Sequence, residues 1–299
     1  MRRFAVSLLA AASLASAALA EDVTIATAQG EATVAAPPAK VVAFDVAAID
    51  TLTALGVTLA GVPDNLYIPS LKENPALKVE TVGTLFEPDL EKLAGIAPDL
   101  IVVGSRSAAQ KDAVAQVSPA IDMTVGPDLI GDAEARITAY GTLFAKADEA
   151  AALNTALDEK LAALKAAADG KGTALIVMTN GPKLAAYGPG SRFGWLHEQT
   201  GMPPAIADLK ADEGHGNVLT HEAIAQANPD WLFVLDRGAA VGEEGQSAEA
   251  TLKSPLVEGT NAWKAGHVVY LPAAELYIGG GGYGSLTSVV DTLTAALSK

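Results

Sequence analysis

Residues 91–106 read EKLAGIAPDLIVVGSR, and residues 222–237 read EAIAQANPDWLFVLDR. In both, a glutamate opens a helix-period segment and Pro-Asp follows seven residues later. An apolar run comes next, and an arginine stands fifteen residues after the glutamate. Pro-Asp ahead of a buried strand is common turn chemistry. An arginine at the same strand end of both copies has no such explanation. Recurrence at an offset of 131 residues, from Glu91 to Glu222, predicts two related lobes.

The flanking sequence carries the same rhythm. Residues 41–44, 57–62, 100–103 and 121–125 read as strands, with helices at 47–55, 89–94 and 107–116 between them. Such alternation predicts an α/β lobe with a mainly parallel sheet. Residues 132–169 are almost free of strand signals. Within them, Asp148 reads as an N-cap, leucines fall at 153, 157, 161 and 164, and Gly170 reads as a stop. That spacing predicts a helix of about 21 residues, some 30 Å long. Strands resume at 174–178, 231–235 and 268–271. The expected fold is two α/β lobes, 21–147 and 171–299, joined by a single long helix at 148–170, with the ligand cleft between the lobes. One continuous doubly wound domain is the alternative.

Composition narrows the function. Of 299 residues, half are apolar, and 35 acidic side chains face 20 basic ones for a net charge of −15. That balance argues against nucleic acid or an anionic membrane as partner. The absence of cysteine excludes disulfides, thiolate metal sites and a cysteine nucleophile. Arg2 and Arg3, an apolar run over 4–17 and Ala18-Leu19-Ala20 read as an export leader cleaved after Ala20. With no cysteine after that point a lipid anchor is not expected. The mature chain is read as a soluble periplasmic protein.

Beyond the leader the chain has four arginines. Arg136, among Ala and Glu in a predicted helix, reads as a solvated surface residue. Arg106 and Arg237 follow strand C-termini, where open α/β sheets hold their ligands. Arg192 follows the turn Tyr187-Gly-Pro-Gly-Ser191 and reads as the opening of a helix. A cluster of guanidinium forks suits an anionic, oxygen-rich ligand; three separate salt bridges are the alternative. Enzyme motifs fail in context. His197-Glu198 and His221-Glu222 lack the second histidine of a zincin, with Gly201 and Ala225 in that place. Gly279-x-Gly281-x-x-Gly284 lies too close to Lys299 for a dinucleotide fold. The glycine run is either a close-packed loop or one that gives a ligand room. His215 is a surface histidine or, with Tyr277, a pair suited to ferric iron. A metal-dependent hydrolase or lyase using His215, Asp212 and Glu213 is the remote alternative.

The chain resembles the siderophore-type substrate-binding proteins of ABC importers, in their ferric-catecholate (enterobactin- and petrobactin-type) branch. FEPDLEKL from Phe86, PDLIVVGSR ending at Arg106, YGPGSRFGWLH from Tyr187 and PDWLFVLDR ending at Arg237 carry the resemblance. It implies a binding protein rather than an enzyme, with no intrinsic cofactor and Fe(III) carried by the siderophore. It also implies a monomer that delivers its ligand to a membrane permease. Arg106, Arg192 and Arg237 align with the basic triad that holds the ferric complex. His215 and Tyr277 align with residues that complete iron coordination for a tetradentate siderophore. Glu91 and Glu222 align with the carboxylates that dock each lobe on the permease. Trp195, Tyr67 and Phe193 are the candidate walls. Haem, cobalamin and ferric citrate are the alternative ligands.

Overall fold

The apolar runs of both repeat copies become interior strands of two separate sheets. A computed structural model describes residues 21–211 and 215–299. The expected leader, and Asp212 and Glu213, lie outside the described residues.

A hairpin of β1 (Glu21–Thr27) and β2 (Gly30–Ala36) precedes the first sheet. β3 (Val41–Ala43), β4 (Gly61–Val62), β5 (Glu80–Thr81), β6 (Leu100–Val103) and β7 (Ala120–Asp122) form that sheet, wholly parallel, in the order β5-β4-β3-β6-β7. Its helices are α1 (Val46–Ala54), α2 (Pro69–Lys72), α3 (Leu90–Ile96), α4 (Lys111–Val114) and α5 (Leu129–Leu143). The long helix α6 (Ala147–Ala168) follows.

The second sheet contains β8 (Ala174–Asn180), β9 (Lys183–Tyr187), β10 (Asn217–Leu219), β11 (Trp231–Asp236) and β12 (Val268–Tyr270), in the order β10-β9-β8-β11-β12. β8, β11 and β12 are parallel, and β9 and β10 add antiparallel at one edge. Helices α7 (Trp195–Thr200), α8 (His221–Ala227), α9 (Arg237–Val241), α10 (Ala248–Leu252), α11 (Pro255–Glu258) and α12 (Asn261–Ala265) surround it. The chain finishes with α13 (Ala273–Tyr277) and α14 (Tyr283–Leu297).

The Pro-Asp repeat has a structural cause. Asp99 Oδ2 accepts the Ala39 and Lys40 amides at 2.9 and 2.8 Å, while the Lys40 carbonyl accepts the Asp99 amide at 2.8 Å. In the second copy Asp230 Oδ2 accepts the Thr173 amide at 2.9 Å, and the Thr173 carbonyl accepts the Asp230 and Trp231 amides. Each aspartate thus brackets the start of its strand to the start of the neighbouring strand. The preceding helices end at Ala97 and Asn228, both left-handed, with φ of 48° and 43°. This bracket accounts for Pro-Asp in both copies and uses neither the glutamates nor the arginines.

Several expectations need correction. α6 begins at Ala147 with Lys146 as N-cap, so Asp148 lies in the first turn and favours the helix dipole from there. Residues 57–62 supply only a two-residue strand, and 107–116 splits into a 3-10 turn (Ser105–Gln110) and α4. Arg136 is buried rather than solvated: its guanidinium donates to the carbonyls of Ala26 and Thr124 at 3.2 and 3.0 Å. It ties the hairpin and the segment after β7 to α5, satisfying carbonyls that neither sheet can reach.

The two halves meet through α14. Buried Asp50 on α1 accepts the Ser285 amide at 2.6 Å, and Thr51 Oγ1 accepts the Tyr283 amide at 3.2 Å. Asp50 therefore caps a helix of the opposite half. A Cβ at Gly282 would lie 2.5 Å from Asp50 Oδ2, so only glycine fits there. On the far face of α14, Asp291 pairs with Lys160 of α6 at 2.6 Å. Among the described residues, no helix is long and apolar enough to cross a membrane.

Candidate ligand site at the convergence of three arginines

β6 and β11 point their C-terminal ends toward the same region, and the residues just beyond carry Arg106 and Arg237. After β6 the chain turns sharply. Ser105 adopts φ +50°, a left-handed conformation that costs a non-glycine residue free energy, and its amide donates to Thr124 Oγ1 at 2.7 Å. Ser107 Oγ closes the turn by accepting the Gly104 amide and donating to the Gly104 carbonyl. This turn aims Arg106 out of the sheet. In the second half Asp236 caps α9 by accepting the Ala239 amide at 3.0 Å, which places Arg237 in the first turn. Arg192 stands on the loop after β9, where Ser191 Oγ donates to the Gly188 carbonyl at 2.6 Å. The helix expected to open at Arg192 begins three residues later, at Trp195.

All three arginines meet at Tyr277, the last residue of α13. Its backbone carbonyl, free at the helix end, accepts Arg106 Nη2 at 2.9 Å and Arg192 Nη2 at 2.7 Å. Both guanidinium groups also lie over its ring, 5.1 and 4.4 Å from the centroid. Arg237 lies close enough to the Tyr277 phenol to act on it electrostatically, and donates to Glu243 at 2.8 Å and to Asn180 at 3.3 Å.

These contacts set the electrostatics. Burial and the nearby charge of Arg192 draw the Arg106 pKa below its ordinary value, against the opposing pull of Tyr277 and Asp45. The nearby Tyr277 phenol, followed by the hydrogen bond with Glu243, raises Arg237. For Tyr277, burial works upward, but hydrogen bonds and charge from Arg237 and Arg192 outweigh it and hold the phenol below its usual value. Asp45, the buried N-cap of α1, lies behind Arg106, and burial pushes its carboxyl up to about 6.

A cavity of about 410 Å³ opens beside this cluster, with Arg106, Arg192, Phe193, Trp195 and Tyr277 in its wall. Phe193 packs edge-on against Tyr187, with ring centroids 4.7 Å apart, and Arg192 lies 5.0 Å over the Phe193 ring. Trp195 is buried, and its indole Nε1 has no hydrogen-bond partner. The glycine run serves both of its anticipated purposes: Gly279, Gly281 and Gly282 abut Ile68, Val125 and Asp50, whereas Gly280 lines the cavity.

Other sequence candidates, Arg237 among them, fall outside the cavity wall. Tyr67, at φ +61°, packs on the core of the first half. His215 is exposed on the turn before β10. Glu91 and Glu222 are exposed in the first turns of α3 and α8. The Glu222 carboxyl is held low by its own backbone amide and the Thr220 hydroxyl. The remaining histidines have structural partners: His197 with the Met202 carbonyl, His221 with that of Thr251, and His267 with that of Asp230 while stacked on Trp231. Among the described residues, no three His, Cys, Asp or Glu side chains are placed to hold a metal. Sequence reasoning missed the Tyr277 carbonyl as the common acceptor, which side-chain types cannot signal.

The chain is similar to several characterised proteins. It is 35% identical over 273 residues to the petrobactin-binding protein YclQ of Bacillus subtilis, covering 88% of this chain and 83% of that one. The crystal structure of YclQ superposes with a TM-score of 0.85, covering 93% and 99% of the two chains. The periplasmic catecholate-siderophore binding protein VctP of Vibrio cholerae is 27% identical, with a TM-score of 0.84 over 92% of this chain and 100% of its own. The ferric-anguibactin-binding protein FatB of Vibrio anguillarum is 27% identical over 276 residues, 88% and 84% of the two chains. A model of the periplasmic binding protein family matches residues 41–275, and the chain belongs to that family.

Proposed function

We propose that this protein captures a ferric siderophore of catecholate type in the cavity beside Tyr277 and delivers it to an ABC importer. The convergence of Arg106 and Arg192 on the Tyr277 carbonyl, with Arg237 near its phenol, in a chain of net charge −15, carries the reading. Glu243 meets Arg237, whereas among the described residues no carboxylate forms an ion pair with Arg106 or Arg192, so an anion in the cavity would complete that pair. A ferric catecholate supplies spread negative charge, oxygen acceptors and aromatic faces that fit guanidinium forks. The similarity to the petrobactin-binding YclQ and the catecholate-siderophore binding VctP supports the same ligand class.

Tyr277 has two roles in this reading. In the empty cleft its carbonyl and phenol hold the guanidinium groups in place. With a tetradentate siderophore, the phenolate and the imidazole of His215 fill the two open iron positions. Residues 21–147 and 171–299 are then the lobes, joined by the helix assigned to 148–170, and Trp195 and Phe193 flank the ligand, whereas Tyr67 stays packed on the core of the first half. Glu91 and Glu222 dock the lobes on the permease. The chain acts as a monomer in the periplasm, after removal of residues 1–20, and without a lipid anchor.

Titration of the purified protein with ferric catecholates, followed by tryptophan quenching, tests the proposal. Saturable one-to-one binding that leaves the ferric complex chemically intact is the expected result. Product release, or preference for haem or cobalamin, would refute it.

A further inference from the structure

The three arginines of the site are not equivalently partnered. Arg106 and Arg192 stand in the cavity wall and share the Tyr277 carbonyl. Arg237 lies outside that wall and is already engaged. Its Nη1 donates to Glu243 Oε2 at 2.8 Å and to Asn180 Oδ1 at 3.3 Å. Glu243 is thus an anion seated on a cation that the ligand would also use.

Local backbone fixes Glu243 in this place. Helix α9 stops at Gly242, left-handed at φ 71°, and the Glu243 amide turns back to the Gly238 carbonyl at 2.9 Å. Asp236 holds both ends of the segment: Oδ1 accepts the Ala239 amide at 3.0 Å and Oδ2 the Ala248 amide at 2.7 Å. The Glu243 side chain nevertheless stays 56% exposed. A second cavity, of about 260 Å³, has Asn180, Glu243 and Ser247 in its wall. The carboxylate therefore borders open space and can leave Arg237 without disturbing a core. Exposed ion pairs are weak, so a multiply charged anion can displace it.

Charge then discriminates among ligands. In the empty site Arg106 and Arg192 have no carboxylate partner among the described residues, while Glu243 neutralises Arg237. A ligand with one or two negative charges is matched by the free pair. A ferric tris-catecholate is a trianion and has charge left for Arg237.

We propose that Glu243 is a latch that holds Arg237 aside until a multiply charged ferric complex displaces it, so that Glu243 sets the charge a ligand needs to engage all three arginines. The inference rests on the arginine-binding reading above and adds the residue that competes with the ligand.

The test is a double-mutant cycle on the full chain: wild type, Glu243→Gln, Arg237→Ala and the two together. Two probes are titrated by tryptophan quenching: a hexadentate Fe(III) tris-catecholate, which is trianionic, and a neutral Fe(III) tris-hydroxamate. Glu243→Gln keeps the side-chain size and removes the charge. It should tighten tris-catecholate binding about two- to fivefold, the scale of an exposed ion pair, and leave the hydroxamate unchanged. In the Arg237→Ala background the same substitution should change nothing. A ligand-free readout accompanies the cycle: Glu243→Gln should move the Tyr277 phenol ionisation further down, because Arg237 then acts on it without a counter-charge. If the gain persists without Arg237, Glu243 only repels the ligand at a distance and the latch is wrong. A parallel gain for the hydroxamate would assign Glu243 to pocket shape and overturn it equally. If wild type binds the tris-catecholate and Glu243→Gln matches it, the latch falls and the binding reading stands; if wild type does not bind it, both fall.

Discussion

Replacing Arg192 by Ala separates a ligand-binding arginine from a structural one. Arg106 Nη2 and Arg192 Nη2 lie 2.9 and 2.7 Å from one carbonyl oxygen, so they are at most about 5.6 Å apart. Two like charges at that distance repel by about 3 kcal/mol at an effective dielectric of 20, and by about 1 kcal/mol once water screens exposed Arg192. Removing Arg192 relieves this repulsion and forfeits a hydrogen bond to the Tyr277 carbonyl worth about 1 kcal/mol. These effects nearly cancel, so the ligand-free melting temperature should move by only a few degrees. The ligand complex instead loses a charged hydrogen bond worth roughly 1.5–3 kcal/mol, which weakens Kd about 10- to 150-fold. Quenching of Trp195, which lies in the cavity wall, provides the affinity assay, and thermal denaturation provides the stability. The combination of a large melting loss with an affinity within about threefold of wild type would refute the reasoning, since that small change is under 1 kcal/mol. Arg192 would then be a clamp on α13.

Tyr277 should ionise below the usual tyrosine range, and Arg237→Ala should move that ionisation upward; phenolate absorbance during a pH titration reports both. His215→Ala with Tyr277→Phe should weaken tetradentate ferric ligands and shift their charge-transfer band, with little effect on hexadentate ones; equal loss for both would limit the pair to pocket shape. Asp45 has a folded pKa of about 6, above its ordinary 3.8. The folded state therefore takes up the extra proton between these values, and this contribution to stability grows as pH falls through 6 and is complete below 3.8. Asp45→Asn keeps an N-cap acceptor, should raise stability at pH 7 by on the order of 1–3 kcal/mol, and should flatten the slope between pH 4 and 6 in denaturant titrations. Asp50→Ala removes the cap that α1 gives to α14 and should cost about 1–2 kcal/mol in urea denaturation.

The sequence carried its information unevenly. Long-period features were legible because they follow from burial. The runs at 100–103 and 231–235 became interior strands, and leucines 157, 161 and 164 are buried along the long helix. Short edge elements were not legible. β9 is Lys-Leu-Ala-Ala-Tyr, with little β-propensity, and β10 has three residues; both exist because they pair with β8 and each other. Arg136 was misjudged because its local sequence looks solvated while its partners, Ala26 and Thr124, lie in distant segments. At the site, the arginines were visible by residue type and by their place after strands. The meeting point of Arg106 and Arg192 was not, because it is a backbone carbonyl exposed by the end of α13. His215 and Tyr67 share residue chemistry with the wall without lining it.

The central claim is that Arg106, Arg192 and Arg237 together hold an anionic ferric complex. It is tested most directly by titrating wild type and the Arg106→Ala/Arg192→Ala/Arg237→Ala variant with the same ferric catecholate under identical salt. The account predicts saturable one-to-one quenching for wild type and none over the same range for a variant that remains folded. Wild-type affinity in the triple variant, or no saturable binding by wild type, would contradict it.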